Sequence, residues 1–417
     1  MEEAFAAEIA KSLLGKLGSF AAQEFCLAWG LEADIARLEK KLKAIAAVLS
    51  DAEQKQSKND KIRIWLNDLR EATDCSHVLH EETGMNRSFD SFSGLIGRDE
   101  DKERIISLLE APFKSPNNFH QVRSIVFADS IVGPICKKDF EKCLLEFKHL
   151  RSLELMDGSE FEAFPERIGA LKHLRYLNFE RNPKIKRLPK SIFKLQNLQA
   201  LLTGEGFEEL PKDVRYMISL RFLFLATQQK RLPEDGIGCL KFLQTLFIVG
   251  CENLENLCED MQGLKSLLKL AIGGCDNLIS LPKSIKCLTT LEEFCIGNCA
   301  KLNLMTIEEK NEEKIRPLSL SLRIVIFNNL PSTIALPEQF LQGPAESLQT
   351  FIIRDCPNIR EMPECIGNLK KLQNLEISDC PRLSKRCQRE TGEDWPKIKH
   401  IPKIEVDNDD SGEETSD

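Results

Sequence analysis

The pattern LxxLxL recurs along most of this 417-residue chain, and it restricts the fold more than any other feature. Copies begin at Leu150, Leu174, Leu198, Leu220, Leu243, Leu267, Leu291, Leu322, Leu348 and Leu372. The steps between them are 24, 24, 22, 23, 24, 24, 31, 26 and 24 residues. A weaker copy starts at Val122 and continues in Ile125 and Phe127. One such unit cannot close a core by itself, so successive units must stack. The expected fold is an α/β solenoid with a parallel concave sheet and an irregular or short-helical convex side. The functional question then becomes which partner it binds, because such a stack presents a long concave surface.

A period of about 20–29 residues with this pattern is that of leucine-rich repeats. Within each copy the later apolar residues alternate with outward ones, the period of a short strand. Leu177 and Phe179 are expected to point inward, Tyr176 and Asn178 to the concave face. Cys251, Cys275, Cys299, Cys356 and Cys380 share one phase, where a small side chain can support the turn leaving the strand. Pairs such as Leu188-Pro189, Leu210-Pro211, Leu232-Pro233, Leu281-Pro282 and Leu336-Pro337 are read as the end of the convex return segment, with Phe164-Pro165 and Met362-Pro363 as variants. Proline cannot donate to a ladder and holds the preceding residue extended.

The composition is that of a soluble globular protein: 42% hydrophobic, 29% charged, net charge −8. Residues 405–417 carry seven acids and no base, which leaves the body nearly neutral. No Lys/Arg-rich run points to nucleic acid. The 15 cysteines include no CxxC pair and read as buried free thiols in a reducing compartment. No signal peptide or membrane-length apolar run is found. The expected location is the cytoplasm.

Residues 1–85 have a different period. Leu31, Ile35, Leu38, Leu42, Ile45 and Leu49 form a heptad seam. Ile62, Trp65, Leu69, Ala72 and Leu79 share a second helical face. Phe5, Ile9, Leu13, Leu17 and Phe20 share a third, which Gly15 and Gly18 bend or break. Short loops between such helices imply an antiparallel bundle. The expected organisation is a helical bundle over 1–85, a linker over 86–119, repeats with a C-terminal cap over 120–404, and an acidic disordered tail over 405–417.

No HExxH, GxSxG or convergent Cys/His/Asp set is present, so no enzyme activity, metal or cofactor is expected. His77 and His80 stand three apart, and two ligands without a third make a poor metal site. The outward strand positions carry the candidate site. In the middle units they are Phe222 and Phe224, then Thr245, Phe247 and Val249. Later units place Ile324 and Ile326, then Ile352, at the same positions. Glu154 at one end, and Asn374, Glu376 and Ser378 at the other, form a polar rim. Apolar patches with polar rims mark interaction surfaces. Coverage by another domain, or a shifted register, would place the same residues differently.

Three segments in order resemble one family. They are DAEQKQSKNDKIRIWLNDLREA, then LIGRDEDKERIISLL at Leu95–Leu109, then the closing DCPRLSKRCQRETGEDWPKIKHIPKI with Cys387, Gly392, Glu393, Asp394, Trp395 and Pro396. The chain resembles the coiled-coil class of plant nucleotide-binding leucine-rich-repeat immune receptors. The resemblance implies a role in defence. It implies pathogen effectors or host proteins as partners of the repeats. Signalling or adaptor proteins, other resistance proteins among them, would bind the N-terminal helices.

Two departures stand beside it. The family's nucleotide-binding module should follow Leu109, but about a dozen residues separate Leu109 from the first repeat-like strand. A phosphate-binding loop needs GxxxxGK[ST], whose backbone N–H groups, Lys and hydroxyl hold phosphates and Mg²⁺. Here the only Gly-Lys pair is Gly15-Lys16, followed by Leu17. The family's acidic motif on the third helix becomes Ser76-His77-Val78-Leu79-His80, with Asp74, Glu81 and Glu82 on shifted faces. The leading reading is a receptor-like binding protein whose switch is missing. An ADP/ATP-operated switch, disfavoured by the missing loop, and a nonfunctional truncated product are the alternatives.

Overall fold

Apolar residues at every second position of each LxxLxL unit place one side of a short strand in the core, and twelve such strands line up. The computed structural model describes residues 123–127, 137–155, 161–180, 182–307 and 320–407. The chain divides into two units, Met1–Met85 and Asn86–Asp417, and every described residue lies in the second. The N-terminal helical stripes, the Leu95–Leu109 segment, the residues Asp74, Ser76, His77, Glu81 and Glu82, and residues 408–417 fall outside the described residues.

The strands are β1 Ser124–Phe127, β2 Ser152–Leu155, β3 Tyr176–Asn178, β4 Ala200–Leu202, β5 Phe222–Leu225 and β6 Thr245–Val249. They continue as β7 Lys269–Gly273, β8 Glu293–Gly297, β9 Ile324–Asn328, β10 Thr350–Arg354, β11 Asn374–Ser378 and β12 Lys403–Val406. All twelve form one sheet in chain order. Each pairs in parallel with the next, and the register never slips. Leu177, Leu201, Leu223, Leu246, Leu270 and Phe294 therefore stand in one row. Each is fully buried or within 1% of it. Even the 31-residue step is absorbed outside the ladder, since Glu293 of β8 still faces Ile324 of β9.

Inside the solenoid, aromatic rings stack from repeat to repeat. Phe164, Phe179 and Phe207 meet edge to face at 5.3 and 5.9 Å. Phe294, Phe327 and Phe351 do so at 6.4 and 5.7 Å. Edge-to-face contacts at such distances add to the burial of the rings themselves.

The convex side consists mainly of short 3-10 turns, such as Lys190–Lys194, Lys212–Tyr216, Lys283–Cys287 and Glu364–Asn368. This corrects the reading of the Leu-Pro pairs. Pro165, Pro189, Pro211, Pro282 and Pro363 stand immediately before the first helical residue, with φ between −61° and −75°. They open the convex turn rather than end it. The reason is that a turn's first residues have no intrahelical acceptor for their N–H, so a residue lacking one costs nothing there. Pro337 holds the same place before the one-turn helix α2, Glu338–Gln342. An earlier helix, α1, spans Lys137–Glu146.

Each turn leaving β6 to β11 has one residue in the left-handed region. These are Gly250 (φ 66°), Gly274 (φ 63°), Asn298 (φ 54°), Asn329 (φ 48°), Asp355 (φ 50°) and Asp379 (φ 52°). Gly, Asn and Asp are the residues that enter this region at least cost. Cysteine follows in five of the six units, and all five thiols are buried. Cys251 Sγ accepts the Thr227 N–H at 3.3 Å, and Cys380 Sγ accepts the Cys356 N–H at 3.3 Å. The thiols thus satisfy backbone donors of the preceding repeat, which apolar side chains of that size could not do.

The C-terminus is closed by α3 Pro381–Arg386, α4 Trp395–Ile398 and β12. Strand β12 runs through Val406, so the pairing extends two residues into the segment read as tail. Asp394 is fully buried. It accepts hydrogen bonds from Arg386 Nε at 2.9 Å and from the Met362 N–H at 3.0 Å, and pairs with Lys397 Nζ at 2.9 Å. Burial pushes this carboxyl up, but the bonds from Arg386, Lys397 and Met362 outweigh it, so Asp394 titrates below the usual carboxylate range.

Candidate protein-interaction surface

The outward residues of the strands form three columns across the concave face. The middle column runs Asn178, Leu202, Phe224, Phe247, Ala271, Cys295, Ile326, Ile352, Glu376. Seven consecutive members are apolar, where a solvated parallel strand carries polar groups. The first column runs through Tyr176, Ala200, Phe222, Thr245, Lys269, Glu293, Ile324 and Thr350. The third includes Val249, Gly273, Gly297, Asn328 and Arg354.

Phe222, Phe224, Phe247, Val249, Ile324 and Ile352 are half-buried. Parallel strands lie about 4.8 Å apart, so large side chains in one column lean on each other. Phe222 reaches diagonally to Phe247, with ring centroids 5.4 Å apart and planes at 77°. Ile326 differs from the expectation of an exposed apolar group. It is 2% exposed. It stands in the middle column between Cys295 and Ile352. Ala271 and Cys295, beside it in the column, are 1% and 6% exposed. Burial, and then the charge of Glu293, push the Cys295 thiol up to about 12, so it stays protonated.

The ends of the middle column are polar and tied. Asn178 Nδ2 donates to Glu154 Oε1 at 2.9 Å. Arg354 clamps Glu376 beyond Ile352. Lys269 and Glu293 pair at 2.8 Å beside Ala271 and Cys295. The result is an apolar strip bounded by polar pairs, with half-buried carbon surface at Leu202, Phe224, Phe247 and Ile352.

The third column contains a gap. A Cβ added at Gly273 would meet nothing closer than the Gly297 carbonyl oxygen at 3.7 Å, and the φ of Gly273 lies outside the left-handed region. The gap was not read from sequence, although Gly273-Gly274 and Gly297 recur 24 residues apart. The Gly/Asn/Asp position before each cysteine was equally open to reading as a left-handed residue. The acidic motif residues Asp74, Ser76, His77, Glu81 and Glu82 lie outside the described residues. No group of three His, Cys, Asp or Glu among the described residues could hold a metal ion.

An Rx N-terminal domain family model matches residues 9–81, and a leucine-rich repeat region model matches residues 121–234. The disease resistance protein RGA5 of Oryza sativa subsp. japonica is 31% identical over 245 residues, covering 57% of this chain and 20% of that protein. The chain is homologous to plant disease resistance proteins. A putative disease resistance protein, RGA4 of Solanum bulbocastanum, is 39% identical over 54 residues, 13% of this chain and 6% of that protein. The chain thus spans a fifth or less of the length of these relatives. Among solved structures, a leucine-rich-repeat protein of Leptospira interrogans superposes with a TM-score of 0.50 at 20% identity, covering 82% of this chain and 86% of that one. That likeness concerns the fold. No helix among the described residues is long and apolar enough to cross a membrane.

Proposed function

We propose that this chain is a cytoplasmic recognition protein of plant defence. Its concave strip binds a pathogen effector or a host protein, and its N-terminal Rx-type unit holds signalling or adaptor partners. The observation that carries this reading is the in-register middle column from Leu202 to Ile352, apolar throughout and bounded by polar pairs. A sheet face needs no large apolar side chains for its own stability, whereas aromatic anchors in such patches dominate protein–protein affinity. Phe222, Phe224, Phe247, Val249, Ile324 and Ile352 are the proposed contact residues, with Ile326 as a filler beneath them. The role needs no catalytic group and no bound nucleotide, in keeping with a sequence without a GK[ST] loop.

Gly273→Trp tests it. A Cβ at Gly273 makes no close contact and the backbone there suits any residue, so the variant should keep the sheet, which a thermal melt checks, while its indole stands beside the strip. Proximity labelling from the full chain in plant tissue identifies neighbours, and purified neighbours are then titrated against parent and variant. At least tenfold weaker binding to the variant supports the reading. Unchanged affinity for every purified neighbour defeats it.

A further inference from the structure

The C-terminal end of the solenoid carries a second surface, apart from the concave strip. In a parallel pair, the N–H and C=O of every second residue point to the same neighbouring strand. Lys403 and Asp407 donate their N–H groups to β11, at Gln373 O (2.9 Å) and Ile377 O (3.2 Å). The backbone groups of Ile404 and Val406 therefore point away from β11. β12 is the last strand of the sheet, so among the described residues they meet no further strand.

Beside that open edge lies a cavity of about 420 Å³. Trp395, Ile401, Ile404 and Val406 supply its apolar lining, and Arg389 and Lys399 line it as well. The volume falls in the usual range for ligand pockets, roughly 300–1,000 Å³. Lys399 is exposed and enters no ion pair among the described residues. Among the described residues, the one ion pair of Arg389 is with its neighbour Glu390, at 3.9 Å. Ile404 and Val406 thus belong to both features: their backbones form the open edge, and both residues line the cavity.

We propose that this end binds an extended segment of a partner protein, added as a thirteenth strand along β12. One apolar side chain of the segment fills the cavity against Trp395, and an acidic side chain meets Lys399 and Arg389. Strand addition takes its affinity from main-chain hydrogen bonds and its selectivity from pockets for alternate side chains. Both elements are present here. The charge of the occupant follows from the two cations. The chain's own residues 408–417 are acidic but contain no large apolar residue, so they do not match the lining.

The test uses the full chain and a fluorescein-labelled hexapeptide, Thr-Leu-Thr-Val-Thr-Glu, followed by fluorescence polarisation. Saturable 1:1 binding is expected. Lys399→Glu should weaken it at least tenfold, and a peptide ending in Lys should recover affinity for that variant. Ile404→Pro should remove binding, because Pro supplies no outward N–H, while the β11 side of the strand keeps its donors. Thermal melts report whether each variant is folded, and Lys399→Glu decides the matter should Ile404→Pro unfold. The proposal fails if the parent shows no saturable binding at millimolar peptide, or if Lys399→Glu binds as the parent does. It also fails if the parent sediments as a dimer that Ile404→Pro dissociates, since a second copy would then hold the edge.

Discussion

Arg354 and Glu376 form a two-pronged ion pair across adjacent strands, Nε to Oε1 at 2.6 Å and Nη2 to Oε2 at 3.0 Å. Their side chains are 23% and 27% exposed, so the pair is partly screened by solvent. It closes the concave strip immediately after Ile352. The parallel planar geometry makes it stronger than a single-contact surface pair. A double-mutant cycle with Arg354→Ala and Glu376→Ala should give a coupling of about 1 kcal/mol in chemical denaturation. A coupling indistinguishable from zero would show that the two groups merely sit side by side.

Neighbouring residues on β5 should respond unequally to truncation. Leu223 is fully buried, so Leu223→Ala should cost roughly 2–5 kcal/mol. Phe224 lies on the concave side and is half-buried. Phe224→Ser should cost about 1 kcal/mol, chiefly lost apolar contact with the adjacent column. Urea unfolding of the two single variants compares them directly. Equal losses would mean that the strand is turned over and that Phe224 faces the core.

Gly273 and Gly274 are adjacent but should not tolerate the same change. Gly274 has φ 63°, and a Cβ there would lie 3.4 Å from the Gly250 nitrogen. A β-branched residue in this region costs on the order of 1–3 kcal/mol. Gly274→Val should lower the melting temperature clearly, and Gly273→Val should leave it nearly unchanged. The comparison isolates backbone strain because both substitutions add the same side chain.

The cap should loosen in acid. Asp394 titrates below its unfolded value of about 3.9, so its stabilising effect is complete above that pH and is lost as pH falls through the folded value. Asp394→Asn should cost roughly 3 kcal/mol at pH 7, because the buried site keeps Lys397 and Arg386 without their counter-charge. Melting curves of parent and variant from pH 7 to pH 3 should differ most at pH 7 and converge below pH 4. A constant gap would place the pH sensitivity elsewhere.

The spacing of leucines by itself determined the solenoid, the direction of the sheet and which strand residues turn inward. That holds because a strand alternates strictly and a repeat cannot bury its apolar edge without the next one. Phe222, Phe224 and Phe247 could be placed on the concave face for the same reason. The exposure of individual outward residues could not be read this way. Ile326 and Ile352 occupy equivalent positions, yet only Ile326 is buried, a difference that the repeat spacing does not encode. The role of the Leu-Pro pairs was likewise decided by the tertiary structure, since proline suits both the end of an extended segment and the start of a helical turn. Asp394 shows the limit most plainly. Its partners Met362, Arg386 and Lys397 lie on three separate segments, and only the closing of the cap brings them to one carboxylate.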